Sequence, residues 1–222
     1  MIVMMKEMLN FMKYKYITIE GNIGSGKTSF ARKLSEKFES KLLLEEFETN
    51  PFLSKFYEDP EKNSLPLELY FLSERYNQLN KYKTNTDLFY QYVIADHSFF
   101  KSKLFAQNNL NKEELNLFEK LYNIMSNNIR ESDLLIYLHS DIDRIIKNIK
   151  NRGRIYEQNI NEKYLKSIEE KYFDYIKKQD KTPVIIFDIT NIDFVKEEIY
   201  FYRILEEIQQ FNKDEGIKTI LF

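Results

Sequence analysis

The chain has 222 residues, a net charge of −2, 43% hydrophobic and 31% charged residues, the profile of one ordinary globular domain with a sizeable core. That balance argues against a global basic field for gripping a nucleic-acid polymer. The absence of cysteine excludes disulfides, thiolate metal sites and cysteine nucleophiles, and two histidines, His97 and His139, leave no multi-histidine metal centre.

Residues 1–14 lack the h-region and cleavage site of a signal peptide and read as a frayed N-terminal extension. Met12 is an alternative start, because MKYKYITIEG already opens the first strand. Residues 15–222 read as a single domain. Five short apolar runs, 16–20, 42–45, 92–96, 134–138 and 184–188, predict buried parallel strands. Helical periodicity fills 27–39, 66–81, 112–129, 142–150, 161–178 and 194–211; in the second of these the apolar positions are Leu65, Leu69, Leu72, Tyr76 and Leu79. Strand alternating with helix predicts an α/β fold, a five-stranded parallel sheet flanked by helices. No run approaches the roughly 20 apolar residues of a membrane span; the lack of cysteine fits a reducing cytosol, and a cytoplasmic protein is expected.

Four predicted strands end in an acid: Glu20, Glu45, Asp96 and Asp188. In open α/β sheets the ligand crevice lies at the carboxyl ends of the strands, so these carboxylates gather where chemistry is expected. For Asp188 a turn-capping role is the simpler expectation.

The run Gly21, Asn22, Ile23, Gly24, Ser25, Gly26, Lys27, Thr28 fits the phosphate-loop pattern G-x-x-x-x-G-K-[ST] between a strand and a helix. Glycines let backbone N–H groups approach phosphates, and the following helix adds its positive N-terminal end. Lys27 is expected to bridge the β- and γ-phosphates, and the Thr28 hydroxyl to ligate Mg²⁺. Asp96, ending an apolar strand, suits holding Mg²⁺ or acting as a base. Gly153 breaks a helix between Arg152 and Arg154, and two arginines splayed there suit a lid at about 151–160 that closes over phosphate. Charge stabilisation of that kind contributes a factor of ~10³–10⁵.

Five segments, ITIEGNIGSGKT (17–28), EEFETNPFLSKFY (45–57), PLELYFLSERYNQL (66–79), YVIADHSFFKSKLFA (92–106) and NRGRIYEQNI (151–160), resemble the deoxynucleoside kinase family, in particular its bacterial deoxyguanosine/deoxyadenosine branch. The resemblance spans about residues 15–211 and implies a P-loop kinase fold, ATP as phosphate donor, Mg²⁺ and a homodimer, with the helices near 66–82 and 112–130 as candidate contacts. It implies that Glu45 is the base for the acceptor 5′-hydroxyl, with Glu46 its neighbouring competitor. Tyr57 and Glu157 correspond to the residues that share the sugar 3′-hydroxyl. Glu68 stands where animal relatives carry a base-reading glutamine, and Arg75 where the family places a base-contacting arginine. Asp193 and Phe194 match the loop that cups the ATP adenine. The animal branch carries Glu/Asp-Arg-Ser after the third strand, whereas Ala95-Asp96-His97-Ser98 stands here; Lys101 is expected to supply the missing positive charge.

A carboxylate at position 68 accepts hydrogen bonds, which suits the amino and ring N–H donors of guanine, adenine or cytosine better than thymine. Purine deoxynucleosides are therefore expected, with deoxycytidine as an extension. Most of the 16 tyrosines and 18 phenylalanines read as core; Phe71, Phe99 and Phe100 are the candidates for stacking on the acceptor base. His139 reads as structural and His97 as near the site. Two other functions compete. A thymidylate-type monophosphate kinase would need cations for the acceptor's α-phosphate. A GTPase-like switch would need an N-K-x-D loop, which the sequence lacks.

Overall fold

A computed structural model describes residues 11–47, 50–81, 90–158 and 160–222. Of the stretches expected from sequence, the first ten residues of the extension, residues 48–49 of the 45–57 segment, residue 82 of the candidate contact helix and Asn159 of the lid lie outside these. Six parallel strands form one sheet: β1 (Tyr16–Gly21), β2 (Lys41–Leu43), β3 (Val93–Ala95), β4 (Leu134–His139), β5 (Val184–Asp188) and β6 (Ile217–Leu221), in the order β2-β3-β1-β4-β5-β6. Five strands were expected. β6 is an edge strand whose residues alternate between exposed and half-buried, so it never shows the continuous apolar run of a strand covered on both faces.

The helices are α1 (Lys27–Phe38), α2 (Leu53–Glu58), α3 (Pro60–Asn80), α4 (Phe100–Asn109), α5 (Lys112–Ser126), α6 (Ile142–Arg152), α7 (Glu162–Lys178) and α8 (Glu198–Gln210). α2 and α4 were not anticipated. α3 starts six residues earlier than its apolar pattern suggested. Asp59 caps it, accepting from the Lys62 N–H at 3.3 Å, and Pro60 occupies its first turn, where a proline costs no hydrogen bond. The helix then runs on through Pro66. α8 begins at Glu198 rather than 194, because residues 189–197 form a loop.

Alternate side chains of each strand point to opposite layers. Ile17, Ile19, Leu134, Ile136, Leu138, Ile185 and Phe187 pack with Phe30 and Leu34 of α1 and Ile204, Leu205 and Ile208 of α8. On the other face, Leu135, Tyr137, Val184 and Ile186 meet Leu104 of α4 and Ile168, Tyr172 and Ile176 of α7. Nearby, Tyr16 and Ala95 pack with Leu72, Leu79 and Phe118 of α3 and α5. The end of the expected frayed stretch is packed: Met12 and Tyr14 are buried, the Met12 N–H donates to the Tyr92 hydroxyl at 3.2 Å, and the Tyr14 hydroxyl donates to the Phe211 carbonyl at 2.9 Å. No helix among the described residues is long and apolar enough to cross a membrane.

From β1 the chain moves to one side of the sheet through β2 and β3, then to the other through β4, β5 and β6. The order reverses beside β1, and a crevice opens at the carboxyl end of such a switch point. Phe30 ties α1 to this frame: it is fully buried and meets Phe194 and Phe201 edge-on at 5.4 and 5.9 Å. Phe30→Ala should lower unfolding free energy by about 3–5 kcal/mol, read as a lower urea midpoint with an unchanged slope.

Candidate active site

Backbone geometry builds the first half of the site. Gly21 leaves β1 with φ 151°, and a Cβ there would lie 2.5 Å from the Leu138 carbonyl oxygen, so only glycine fits. Gly26 sits at the N-terminus of α1 with φ 90°, and no side chain caps that helix. Its first N–H groups therefore face the crevice, where an anion can satisfy them. The loop is held from outside: Asn22 donates to the Leu165 carbonyl at 2.8 Å, and Asn148 of α6 donates to the Gly24 carbonyl at 2.9 Å. Ile23 and Ser25 complete it, the Ser25 N–H returning to the Asn22 carbonyl. Lys27 Nζ rests on that same carbonyl at 2.8 Å. Burial, and next the charge of Lys101, pull the Lys27 ammonium down to about 8.

Carboxylates build the second half. Asp96 and Glu45 stand just past the ends of β3 and β2. Asp96 Oδ2 accepts from the Thr28 hydroxyl at 2.6 Å, and Oδ1 accepts from the Glu45 N–H at 2.7 Å. One acid thus ties the phosphate loop to the segment carrying Glu45. Burial works to raise the Asp96 carboxyl, but hydrogen bonds and charge from His97, with the Thr28 bond, hold it below its ordinary value. The Glu45 side chain is gripped by two cations. Arg75 reaches Oε1 with Nε at 2.8 Å and Nη2 at 2.7 Å, while Lys101 Nζ reaches Oε2 at 2.5 Å. Burial alone would raise this carboxyl; Lys101, then Arg75 and His97, outweigh it and hold it well below the usual carboxylate range. Glu46 is exposed at the rim.

Two cavities meet at these groups. The larger, 770 Å³, runs over the phosphate loop towards the 189–196 loop, and Asp193 and Phe194 line it. Asp193 spends its carboxylate on the Val195 and Lys196 N–H groups, and Phe194 is buried against Phe30. Arg144, which no sequence pattern singled out, clamps this loop by donating to the Ile189 carbonyl at 2.6 Å and to the Thr190 and Ile192 carbonyls. The smaller cavity, 110 Å³, is lined by Tyr57, Glu68, Phe71, Arg75, Phe105 and Tyr164, among others. Lys27, Thr28, Glu45, Asp96, Arg152 and Arg154 line both. Such a junction suits transfer of a group from a ligand in one chamber to a ligand in the other.

A family profile described as "Deoxynucleoside kinase" matches residues 17–213. The chain belongs to the deoxynucleoside kinase family. It is 33% identical over 199 residues to the deoxyguanosine kinase of Bacillus subtilis, covering 88% of this chain and 96% of that one. It is 28% identical over 200 residues to the deoxyadenosine/deoxycytidine kinase of the same bacterium, covering 88% and 92%. Among solved structures, the deoxyadenosine kinase of M. mycoides with bound dATP superposes with a TM-score of 0.75 at 25% identity, covering 87% of this chain and 98% of that one. The chain is thus a deoxynucleoside kinase, a phosphotransferase with an alcohol acceptor.

Several expected side chains stand differently from expectation. Arg75 was expected beside the acceptor base. It lines the smaller cavity, where its guanidinium holds Glu45 and donates to Ser102 Oγ at 2.8 Å, the guanidinium carbon lying 4.8 Å from the Phe71 ring centroid. Arg152 and Arg154 do not splay: Gly153 caps α6 with φ 74°, and both arginines converge on buried Glu157, Arg154 at 3.2 Å. Arg154 also lies 3.7 Å over the Phe47 ring. Phe99 and Phe100 stack on Tyr122 and Tyr175 at 4.9 and 3.9 Å, away from both cavities; of the three stacking candidates only Phe71 lines the smaller one. Tyr57 stacks on Tyr156 at 5.8 Å, and burial, then Tyr164 and Glu157, push its hydroxyl well above its ordinary value. Glu20 is fully buried and structural, accepting from the Ser98 N–H and hydroxyl and from Tyr172. Asp188 caps its turn through the Thr190 N–H at 2.9 Å, and His139 lies between it and Glu169.

Lys101 stands where a cation was expected in place of the missing arginine. If the Glu45 carboxylate must be ionised for turnover, Lys101→Met should raise its pKa and move the acidic limb of the kcat/KM–pH profile upward by roughly one pH unit or more. A limb that stays in place would assign that ionisation to another group.

Proposed function

We propose that the kinase transfers the γ-phosphoryl group of ATP to the 5′-hydroxyl of purine deoxynucleosides, with deoxycytidine accepted and thymidine poor. The observation that carries this reading is the junction: the phosphate loop opens on one chamber, a smaller chamber that sets Phe56, Leu67 and Phe71 beside Glu68, Arg75 and Lys101 forms the other, and Glu45 lines both.

ATP lies along Gly21 to Thr28 with its base towards Asp193 and Phe194, beside the loop that Arg144 holds. Lys27 leaves the Asn22 carbonyl for the β- and γ-phosphates. The deoxynucleoside occupies the smaller chamber, its sugar near Tyr57 and Glu157, its base near Phe71 and Glu68. Glu45 takes the 5′-proton as the hydroxyl oxygen bonds to the γ-phosphorus and the bond to ADP breaks. Arg75 and Lys101 fix the rotamer of Glu45, and the lowered pKa they impose keeps it ionised throughout the physiological range. That same grip weakens it as a base, so its role is as much to orient the hydroxyl as to strip it. Arg152 and Arg154 exchange Glu157 for the transferring phosphate and exclude water.

Mg²⁺ fits the pair Thr28 and Asp96. Their oxygens converge to 2.6 Å, both are hard donors, and among the described residues no cluster of three or more His, Asp or Glu side chains offers a closed metal cage. Two protein oxygens plus substrate phosphates is the usual setting for this ion. When bound it neutralises charge on the phosphates.

A cytoplasmic homodimer completes the reading. On α5, Leu117, Leu121 and Ile124 are 50%, 38% and 68% exposed and share one face at spacings of four and three residues. Leu121→Glu should halve the mass measured by light scattering; an unchanged mass would place the contact elsewhere.

The decisive assay supplies γ-labelled ATP with each deoxynucleoside. Label should pass to deoxyguanosine, deoxyadenosine and, more slowly, deoxycytidine, with thymidine at least about tenfold poorer, a difference of about 1.4 kcal/mol. Preference for thymidine, or transfer only to monophosphates, would contradict the proposal.

A further inference from the structure

Among the acids of the smaller chamber Glu68 is the one with an oxygen left over. It projects from α3, is 1% exposed, and its Oε1 accepts from Asn109 Nδ2 of α4 at 2.7 Å. Oε2 is buried with no hydrogen-bond partner, although buried polar atoms are nearly always paired. An acid in that state costs less when protonated. Burial accordingly raises Glu68 to about 7; Arg75 on its own helix and the Asn109 bond oppose the rise, Glu45 from the segment after β2 adds to it, and Lys101 of α4 opposes it. Tyr164 of α7 faces it as well, and its hydroxyl is itself pushed far up by burial and by Glu68. Both ionisation states of Glu68 are therefore populated near neutrality.

The two states offer different hydrogen-bonding faces. A carboxylate presents two acceptors, and Oε1 keeps a second lone pair beyond the Asn109 bond. Guanine presents two adjacent donors, the ring N1–H and the 2-amino group, and matches that face. A neutral carboxylic acid presents a donor at Oε2 beside an acceptor at Oε1. Adenine pairs the ring N1 acceptor with its 6-amino donor, and cytosine pairs N3 with its 4-amino donor, so both match the neutral face. Against the carboxylate their ring nitrogen would meet a like lone pair.

We propose that Glu68 reads the acceptor base in two protonation states, its carboxylate selecting guanine and its neutral acid selecting adenine or cytosine, with Asn109 as the positioning residue that leaves Oε2 facing the base. The inference rests on the reading of the smaller chamber as the acceptor site and adds a selection rule to it. It makes base preference a function of pH.

The test is the ratio of kcat/KM for deoxyguanosine to that for deoxyadenosine in the wild-type protein between pH 6 and pH 8. Neither base titrates in that window, and groups that serve both reactions cancel in the ratio. With a free-enzyme pKa of about 7 for Glu68, the ionised fraction rises from about 0.1 to about 0.9 across the window. The ratio should rise about 100-fold. In Glu68→Gln, which keeps a donor beside an acceptor at every pH, the ratio should be flat and low. Asn109→Leu removes a hydrogen bond that favours the ionised form, so the ratio should fall by a common factor at every pH in the window; an unchanged ratio would remove Asn109 from the account. A wild-type ratio flat within about twofold, with both nucleosides turned over, would overturn the proposal and leave phosphoryl transfer untouched. Absence of transfer to either nucleoside would remove the acceptor-site reading, and this inference with it.

Discussion

The arrangement depends on one carboxylate with two hydrogen bonds. Asp96 holds the Thr28 hydroxyl of the phosphate loop with one oxygen and the Glu45 backbone with the other. Through it, the glycine-rich loop after β1 and an acid that lines both chambers share one reference. Glu45 is then fixed at its far end by Arg75 and Lys101. Removing one partner from such a buried cluster typically costs about 3–5 kcal/mol, because the remaining charges are stranded.

Every cation at the junction rests on a ligand of the protein's own. Lys27 lies on the Asn22 carbonyl, Arg152 and Arg154 on Glu157, and Lys101 and Arg75 on Glu45. The first three line the larger cavity, and the helix N-terminus beside them is uncapped. The last two line the smaller one and hold the Glu45 carboxylate from both oxygens.

Much of this was legible in the sequence, for identifiable reasons. Strands covered on both faces announce themselves as continuous apolar runs, and β1, β4 and β5 appear where such runs stand. β6 does not, since its residues are half in water. The glycine spacing of the phosphate loop is enforced by backbone geometry: a side chain at Gly21 would strike the Leu138 carbonyl. Helices were hardest where function sits. The apolar pattern of α3 begins only near 65, whereas its start is set by Asp59 and Pro60, ahead of that pattern. α4 was missed, and with it Asn109 and Ser102, whose roles arise only when α4 packs beside α3. Side-chain direction was the other gap. Arg75 lies on the expected helix and face, but spacing alone does not say whether a guanidinium chooses a base or a neighbouring carboxylate. Nor does it say that Arg152 and Arg154 converge on Glu157, which lies within reach of both.

The most direct measurement concerns Glu45. Replacing it with glutamine keeps the shape and removes the charge, and the quantities to compare are the single-turnover rate of phosphoryl transfer and the dissociation constant for ATP. The account predicts a rate lower by roughly 10²–10⁴, with ATP affinity changed less than about threefold. A variant that transfers phosphate at close to the wild-type rate would contradict it and move the proton acceptor to Asp96 or Glu46.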